Sequence, residues 1–341
     1  MTAFLSAFKF SPLLLILWWC QSGAGQSQPS EWKLNGYAQG TTYSIIYFKD
    51  KEVVKGAQID SLLDDIDQSM SLYKDGSLIN KFNGAVSGVQ MDQHFRKVIK
   101  KSLDVYKASG GLFDVTVEPL VQAWGFGAHK VDSLPTPSEI RGIMKFVGSD
   151  KIYLRGNYLY KRDKRVKIDL NGIAQGYSVD VLADFLESRG IGNYMVELGG
   201  EIRVKGHKLP GMQKFTLGIQ APGNGFNEDL MQKVIELDSG GLTTSGNYRK
   251  FYMSKHNRVS HLINPKTGYS LQNEMISATV WARNAITADG YDNVFMAIGV
   301  KKSLAFVKHH PGIEIYLIYQ KADGSVADTA SAGFYKFVKK N

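Results

Sequence analysis

The sequence predicts an α+β fold, with largely antiparallel sheets and helices held in segments of their own. Two observations carry this. Short β-branched and aromatic runs recur as hairpin pairs, such as "KIYLRGNYLYK" with its Gly156-Asn157 turn. Apolar residues recur at helical spacing in separate stretches, and the two kinds do not alternate as a doubly wound sheet requires.

Taken in order, "TTYSIIYF" (41–48) reads as a strand, and Ile59, Leu62, Leu63, Ile66 and Met70 mark a helix leading into "MSLYKDGSLINKFN". Phe95, Val98, Ile99, Leu103 and Tyr106 mark a second helix, stopped by Gly110-Gly111. "TPSEI" opens a third through a capping box of Thr136 and Glu139, with Pro137 in the first helical position. "RVKIDL" follows the hairpin as another expected strand. A helix from about Ala174 to Arg189 carries the stripe Tyr177, Val181, Leu182, Phe185 and Leu186. "YMVELGGEIRVKG", "FTLGIQ", "KVIEL" and "ISATVWA" are short strands, and "YRKFYMSKHNRVSHLI" is a hairpin around His256-Asn257. Helices at "YDNVFMAIG" and "KKSLAFVKH" precede a last hairpin, "IEIYLIYQKADGSVADTA". No repeat or low-complexity linker marks an internal boundary, so residues 31–341 are read as one domain.

At 43% hydrophobic and 21% charged, the 341 residues have the composition of a globular protein. The net charge of +9 lacks the basic runs, zinc-finger spacing or aromatic-basic interleaving of a nucleic-acid binder. A surface that attracts an anionic nucleotide accounts for it equally well. The N-terminus holds one lysine, an apolar run over 13–19 and a small polar tail. That run is too short to span a bilayer, so residues 1–25 read as a signal peptide. Cys20, the only cysteine, stands where a bacterial lipoprotein is acylated, although Trp18-Trp19 ahead of it fit poorly. Cleavage before Cys20 and ordinary cleavage near Gly25 both stand. Either way the protein is expected to be exported to the periplasmic side, without disulfides.

No Walker loop, dinucleotide fingerprint, nucleophile elbow or H-E-x-x-H motif occurs. "AITADGYDNVFMAIG" is more specific, because Asp289, Asp292 and Asn293 stand at i, i+3 and i+4 on one helix face. One such residue makes a cap. Two same-face carboxylates repel unless a cation lies between them, and oxygen donors suit Mg²⁺ or Ca²⁺. "KIDLNGIAQGYSVD" runs through Gly172 into a helix start, a place for a phosphate or simply a tight turn. "GGLTTSGNYRKF" adds hydroxyls, and "SHLINPKTG" adds His261 beside a rigid turn.

Together "GTTY", "MSLYKDGSLINKFN", "GGLFDVTVEPLVQAWGFG", "DLNGIAQGYSVD", "VELGGEIRVKG", "TTSGNYRKF", "SHLINPKTG" and "TADGYDNVFMAIG" resemble, in order, the motifs of the ApbE family of FAD:protein FMN transferases. The resemblance implies an enzyme that takes FAD as substrate, uses Mg²⁺, moves FMN to a Thr or Ser hydroxyl of an acceptor protein and releases AMP. It implies that Asp289, Asp292 and Asn293 face the metal, with a backbone contribution near Gly172, and that Asp289 is needed for turnover. It places Gln39, Tyr73, Leu112, Phe113, Asp114, Asp169, Gln175 and Ile263 along the FAD. Tyr73 and Phe113 suit ring stacking or plain core equally. His261 is the candidate base for the acceptor hydroxyl, against a reading as a hydrogen-bonded hairpin histidine. Lys266, with Thr267 beside it, is expected to hold a phosphate.

Two positions depart from the family pattern: Asn293 stands where Thr is usual, and Asn264 where Asp is usual. The expected acceptor carries a Ser/Thr-Gly-Ala-Thr-like motif in a respiratory or redox-pump subunit, and this chain has none of its own. Two rivals stay open: an FAD pyrophosphatase giving FMN and AMP, and a flavin carrier without turnover.

Overall fold

The structure is a computed structural model that describes residues 29–220, 231–247, 251–254 and 257–339. The signal-peptide and Cys20 expectations, and the turn at His256, lie outside the described residues.

A hairpin of β1 (Ser30–Ala38) and β2 (Thr41–Lys49) is followed by α1 (Gly56–Met70) and α2 (Leu78–Gly84). Next come β3 (Gly88–Gln90), α3 (Gln93–Ala108), α4 (Glu118–Ala123) and α5 (Pro137–Met144). The hairpin of β4 (Ile152–Arg155) and β5 (Tyr158–Lys161) precedes α6 (Ala174–Ser188). Five strands then run in succession: β6 (Tyr194–Leu198), β7 (Glu201–Lys205), β8 (Phe215–Gln220), β9 (Met231–Leu237) and β10 (Ser239–Gly246). After β11 (Phe251–Ser254), β12 (Asn257–Ser260) and β13 (Met275–Ala282) comes the long α7 (Ala285–Lys308), then the hairpin of β14 (Ile313–Gln320) and β15 (Val326–Ala330).

The frame is one antiparallel sheet in the order β1-β2-β6-β7-β10-β13-β14-β15. Because side chains alternate along a strand, each face has its own core. On one face Ile45, Tyr47, Val196 and Leu198 meet Val179, Leu182 and Leu186 of α6. Beside them Ala278, Val280, Ile315 and Leu317 pack under α7 through Tyr291, Val294 and Phe295. The opposite face carries Phe48, Val204, Leu242, Tyr316 and Ile318, covered by the β8–β9 ribbon and Phe334. Helices therefore lie on one side and a small ribbon on the other, an α+β architecture as expected. Among the described residues no helix is long and apolar enough to cross a membrane.

Most expected elements are present, including the Thr136–Glu139 capping box and the β4–β5 hairpin. The two C-terminal helices abut without a gap, as the halves of α7 bent at Gly299, where φ is 75°. One reading is corrected, and two strands were not expected. "RVKIDL" is not a strand. Val166, Ile168 and Leu170 are buried as a strand's inner residues would be, but a side chain takes the partner's place. Asn83 donates to the Ile168 carbonyl at 2.9 Å and accepts its N–H at 2.8 Å. Lys161 Nζ ties the carbonyls of Phe82 and Val166 together at 2.9 and 3.0 Å. Conversely "SGGLTTSG" is β10, a central strand, and β1 extends the sheet before the first strand expected. A Cβ on Gly241 would overlap the backbone of Asn284 and Ala285, so this glycine is what lets α7 begin directly upon the sheet.

Candidate active site

Asn284 caps α7 by accepting the Thr287 N–H, and both carboxylate oxygens of Asp180 accept N–H groups, from Ala285 and Ile286, at 2.9 Å. The helix start is thus served before Asp289 is reached. None of Asp289, Asp292 and Asn293 is a cap.

All three point at the strand and turn below them. Asp289 accepts the Gly176 N–H at 2.8 Å, and Asp292 accepts the Thr243 hydroxyl at 3.0 Å. The Asn293 side-chain oxygen accepts the Ser245 hydroxyl at 2.8 Å. Thr243 and Ser245 share one face of β10, while Thr244 bonds Thr279 instead, which is strand alternation. Gly172 lies against the same group: a Cβ there would come 3.0 Å from Asn293 Nδ2 and 3.7 Å from the Phe113 ring. Asp289 and Asp292 are only 5% and 3% exposed, and the second oxygen of Asp292 is buried without a hydrogen-bond partner. Burial raises both carboxyls above their ordinary range, and Asp289 and Glu201 push Asp292 further up. Of the two readings of the α6 start, phosphate site or tight turn, the first loses one amide, since the Gly176 N–H is taken by Asp289.

The expected flavin-side residues divide into groups. Lys266 Nζ lies against Gly111, where a Cβ would come within 2.6 Å of it, so Leu112 and Phe113 connect Lys266 to Gly172. Phe113 is buried in the main core, whereas Tyr73 is 69% exposed in the turn after α1. Of the two rings, Tyr73 is the one free to stack. Asp169, whose backbone N–H bonds the Val115 carbonyl at 2.7 Å, faces Tyr73 and, after burial, is the second cause of the raised pKa of that phenol. Across α6, Gln39 bonds Ser178 at 3.0 Å, and Gln175 reaches Gly199 in the β6–β7 turn. Asp114 is occupied structurally: it accepts from the backbone and hydroxyls of Thr116 and Ser149 at 2.6–3.1 Å.

His261 follows β12, half-buried, with its ring edge-on to Phe126 at 6.3 Å. Ile263 packs with Leu120, Trp124 and Ile140 under the Asn264–Gly268 turn. In that turn Asn264 accepts the Lys266 N–H at 2.8 Å, and the Thr267 hydroxyl accepts the Tyr269 N–H at 3.3 Å. An amide oxygen forms this turn as well as a carboxylate oxygen does.

Two contributors were not legible in advance. Asp180 holds the first amides of α7, with Arg203 on the same carboxylate at 2.9 Å, and Glu201 adds negative charge beside Asp292. Asp180 lay unnoticed in a helical stripe, and Glu201 in a strand.

Among the described residues no three His, Cys, Asp or Glu side chains gather to hold a metal by themselves. A cation here would draw on Asp289, the unpartnered oxygen of Asp292 and a carbonyl near Gly172. Ionising both buried carboxyls is costly without such a charge. The donor set is all oxygen, which suits Mg²⁺. The residues fit the ion.

Residues 39–317 match the model of the ApbE family. The chain is 34% identical over 334 residues to the FAD:protein FMN transferase of Vibrio cholerae, covering 96% of this chain and 97% of that protein. The solved flavin transferase ApbE from Vibrio cholerae superposes with a TM-score of 0.81 at 32% identity, over 91% of this chain and 99% of that one. The apo Pseudomonas stutzeri flavinyl transferase ApbE gives 0.82 at 27% identity, over 92% and 98%. Since the match runs through the sheet, the Gly172 turn and the carboxylates of α7 alike, the chain belongs to the ApbE family.

Proposed function

We propose that this chain transfers the FMN half of FAD to a Thr or Ser hydroxyl of an acceptor protein, with Mg²⁺ bound and AMP released. Transfer of FMN from FAD to protein is the activity in the name of its Vibrio cholerae relative. The observation that carries the finer reading is the buried pair Asp289 and Asp292 beside Gly172, with one carboxylate oxygen lacking a donor. A non-catalytic carrier has no need of that pair.

Bound Mg²⁺ neutralises charge on the non-bridging oxygens of a pyrophosphate. Asp289, Asp292 and the Gly172 turn would hold it, with Asn293 kept in place by Ser245. Tyr73, Gln39 and Gln175 flank the flavin side, and Lys266 offers a cation to the phosphates. His261 takes the proton from the acceptor hydroxyl as its oxygen attacks the phosphorus of the FMN half. The P–O bond to the adenylate breaks, and AMP leaves with the electron pair.

The test is to incubate the protein with FAD, Mg²⁺ and an acceptor domain bearing the Ser/Thr-Gly-Ala-Thr-like motif, then weigh the acceptor and identify the nucleotide. The acceptor gains the mass of FMN less water, and AMP appears. His261→Ala loses at least about a hundredfold of this transfer, the usual range for a lost general base, while FAD affinity stays near wild type. Transfer at the wild-type rate in that variant removes His261 from the role. Free FMN with an unlabelled acceptor replaces the transferase reading with a pyrophosphatase.

The apolar run ahead of Cys20 supports placing this reaction on the periplasmic side, with the chain anchored through an acylated Cys20. Cys20→Ser then moves the protein from the membrane fraction to the soluble one; equal distribution of both forms means cleavage beyond Cys20.

A further inference from the structure

Between α3, α6, β7 and the start of α7 the chain builds a polar cavity of about 410 Å³. None of the residues assigned above to FAD or metal lines it. Its charged wall is Lys97, Lys101, Arg203 and Arg283 against Asp180 and Asp184. Asp180 is already committed, to the N–H groups of Ala285 and Ile286 and to Arg203 Nη1 at 2.9 Å. That leaves Lys97, Lys101 and Arg283 facing Asp184, with Asp104 also acting on Lys101 from outside the cavity wall, and among the described residues none of the three cations closes an ion pair. Arg203 Nε is buried and has no hydrogen-bond partner.

We propose that this cavity binds a phosphate-class anion. A compact oxyanion with two charges and acceptors on all sides matches ammonium and guanidinium donors converging from three elements. A single carboxylate would leave most of that charge unanswered. Burial holds the Lys101 ammonium below its ordinary range even with Asp104 and Asp180 acting against the shift, so a further anion beside it is favoured. Arg96 and Lys100 add two exposed cations to the same helix. The same chemistry is offered by a free phosphate or phosphomonoester and by a phospholipid headgroup, and the experiment separates the two.

The test uses the full chain saturated with FAD in divalent-free buffer, so that the flavin site is filled. Inorganic phosphate is titrated calorimetrically, and sedimentation with phosphatidylglycerol vesicles is measured in parallel. The variants are Lys97→Gln and Lys97→Gln/Arg283→Gln, both at exposed positions, with FAD affinity as the check on folding. The expected result is saturable phosphate binding that weakens at least about tenfold in the double variant, the scale of one or more lost charge-assisted bonds, with FAD affinity unchanged. Vesicle retention lost in the same variant assigns the headgroup as the source. Phosphate binding without retention assigns the free anion. No saturable binding in either arm, or equal binding by wild type and variant, overturns the proposal.

Discussion

At Asp292 one oxygen accepts the Thr243 hydroxyl while the other is buried with no donor, so ionising this carboxyl costs more solvation than its neighbours return. A carboxyl raised in the folded state binds its proton more tightly there than when unfolded. The metal-free protein therefore loses stability at this site as pH rises above the ordinary carboxylate range. Asp292→Asn keeps the shape, retains an acceptor for Thr243 and removes the charge. We expect its Tm without divalent cations at pH 7.5 to match or exceed wild type by about 2 °C or more. The stabilisation that Mg²⁺ adds to wild type should be absent from the variant, as should transfer activity. A variant that melts lower yet keeps the Mg²⁺ increment removes Asp292 from the metal site. The neighbouring departures have milder consequences. Asn264 makes the turn that a carboxylate would make, and Asn293 is held by Ser245.

The elements around the site meet through glycine. A Cβ on Gly176 would lie 2.6 Å from both the Ala285 carbonyl and the Asp289 Cβ, so α6 and α7 approach at contact distance only because that atom is absent. The same close approach lets the Gly176 N–H reach Asp289 at 2.8 Å. Gly176→Ala is expected to cost about 1–3 kcal/mol by overpacking, measured by denaturant unfolding. Transfer should fall further than stability explains, because the intruding methyl pushes directly on Asp289. Wild-type transfer in a folded Gly176→Ala protein would show that the carboxylate position tolerates the shift. On the opposite side, Asn83 and Lys161 hold the extended segment ahead of Gly172 to the end of α2, giving a non-strand segment strand-like definition.

Across the whole molecule, the candidate site sits where separate parts converge: β10 from the sheet, the starts of α6 and α7, the Gly111–Phe113 loop and the β6–β7 turn. A ligand touching all of them binds the folded chain and not the unfolded one. FAD with Mg²⁺ at about a hundredfold over its Kd should therefore add roughly 2.7 kcal/mol of stability. Differential scanning calorimetry should show this as a higher Tm, with EDTA removing the part due to the metal. An unchanged Tm under saturating FAD and Mg²⁺ would falsify a site spread over these elements.

Periodicity alone placed most helices and hairpins of this protein, because a stripe at 3.6 or an alternation at 2 records which face each element buries. It placed Asp289, Asp292 and Asn293 together on one helix face for the same reason. What it misjudged were segments whose conformation is set from outside. "RVKIDL" has a strand's burial, yet its partners include an asparagine side chain 85 residues earlier and a buried lysine in place of a neighbouring strand. "SGGLTTSG", rich in glycine and hydroxyls, does not read as a strand, yet it is a central one whose glycine makes room for α7. Local composition likewise left the start of α6 open between a phosphate site and a tight turn, whereas one of its amides answers Asp289, 113 residues away. The hold of Asp180 on the first amides of α7, and the gathering of Lys97, Arg203 and Arg283 around one cavity, depend on contacts between remote segments. Sequence determines the faces that each element must bury; only the packed chain decides which polar groups those faces bring within reach of one another, because hydrogen bonds and charges act over a few ångströms of space, not of sequence.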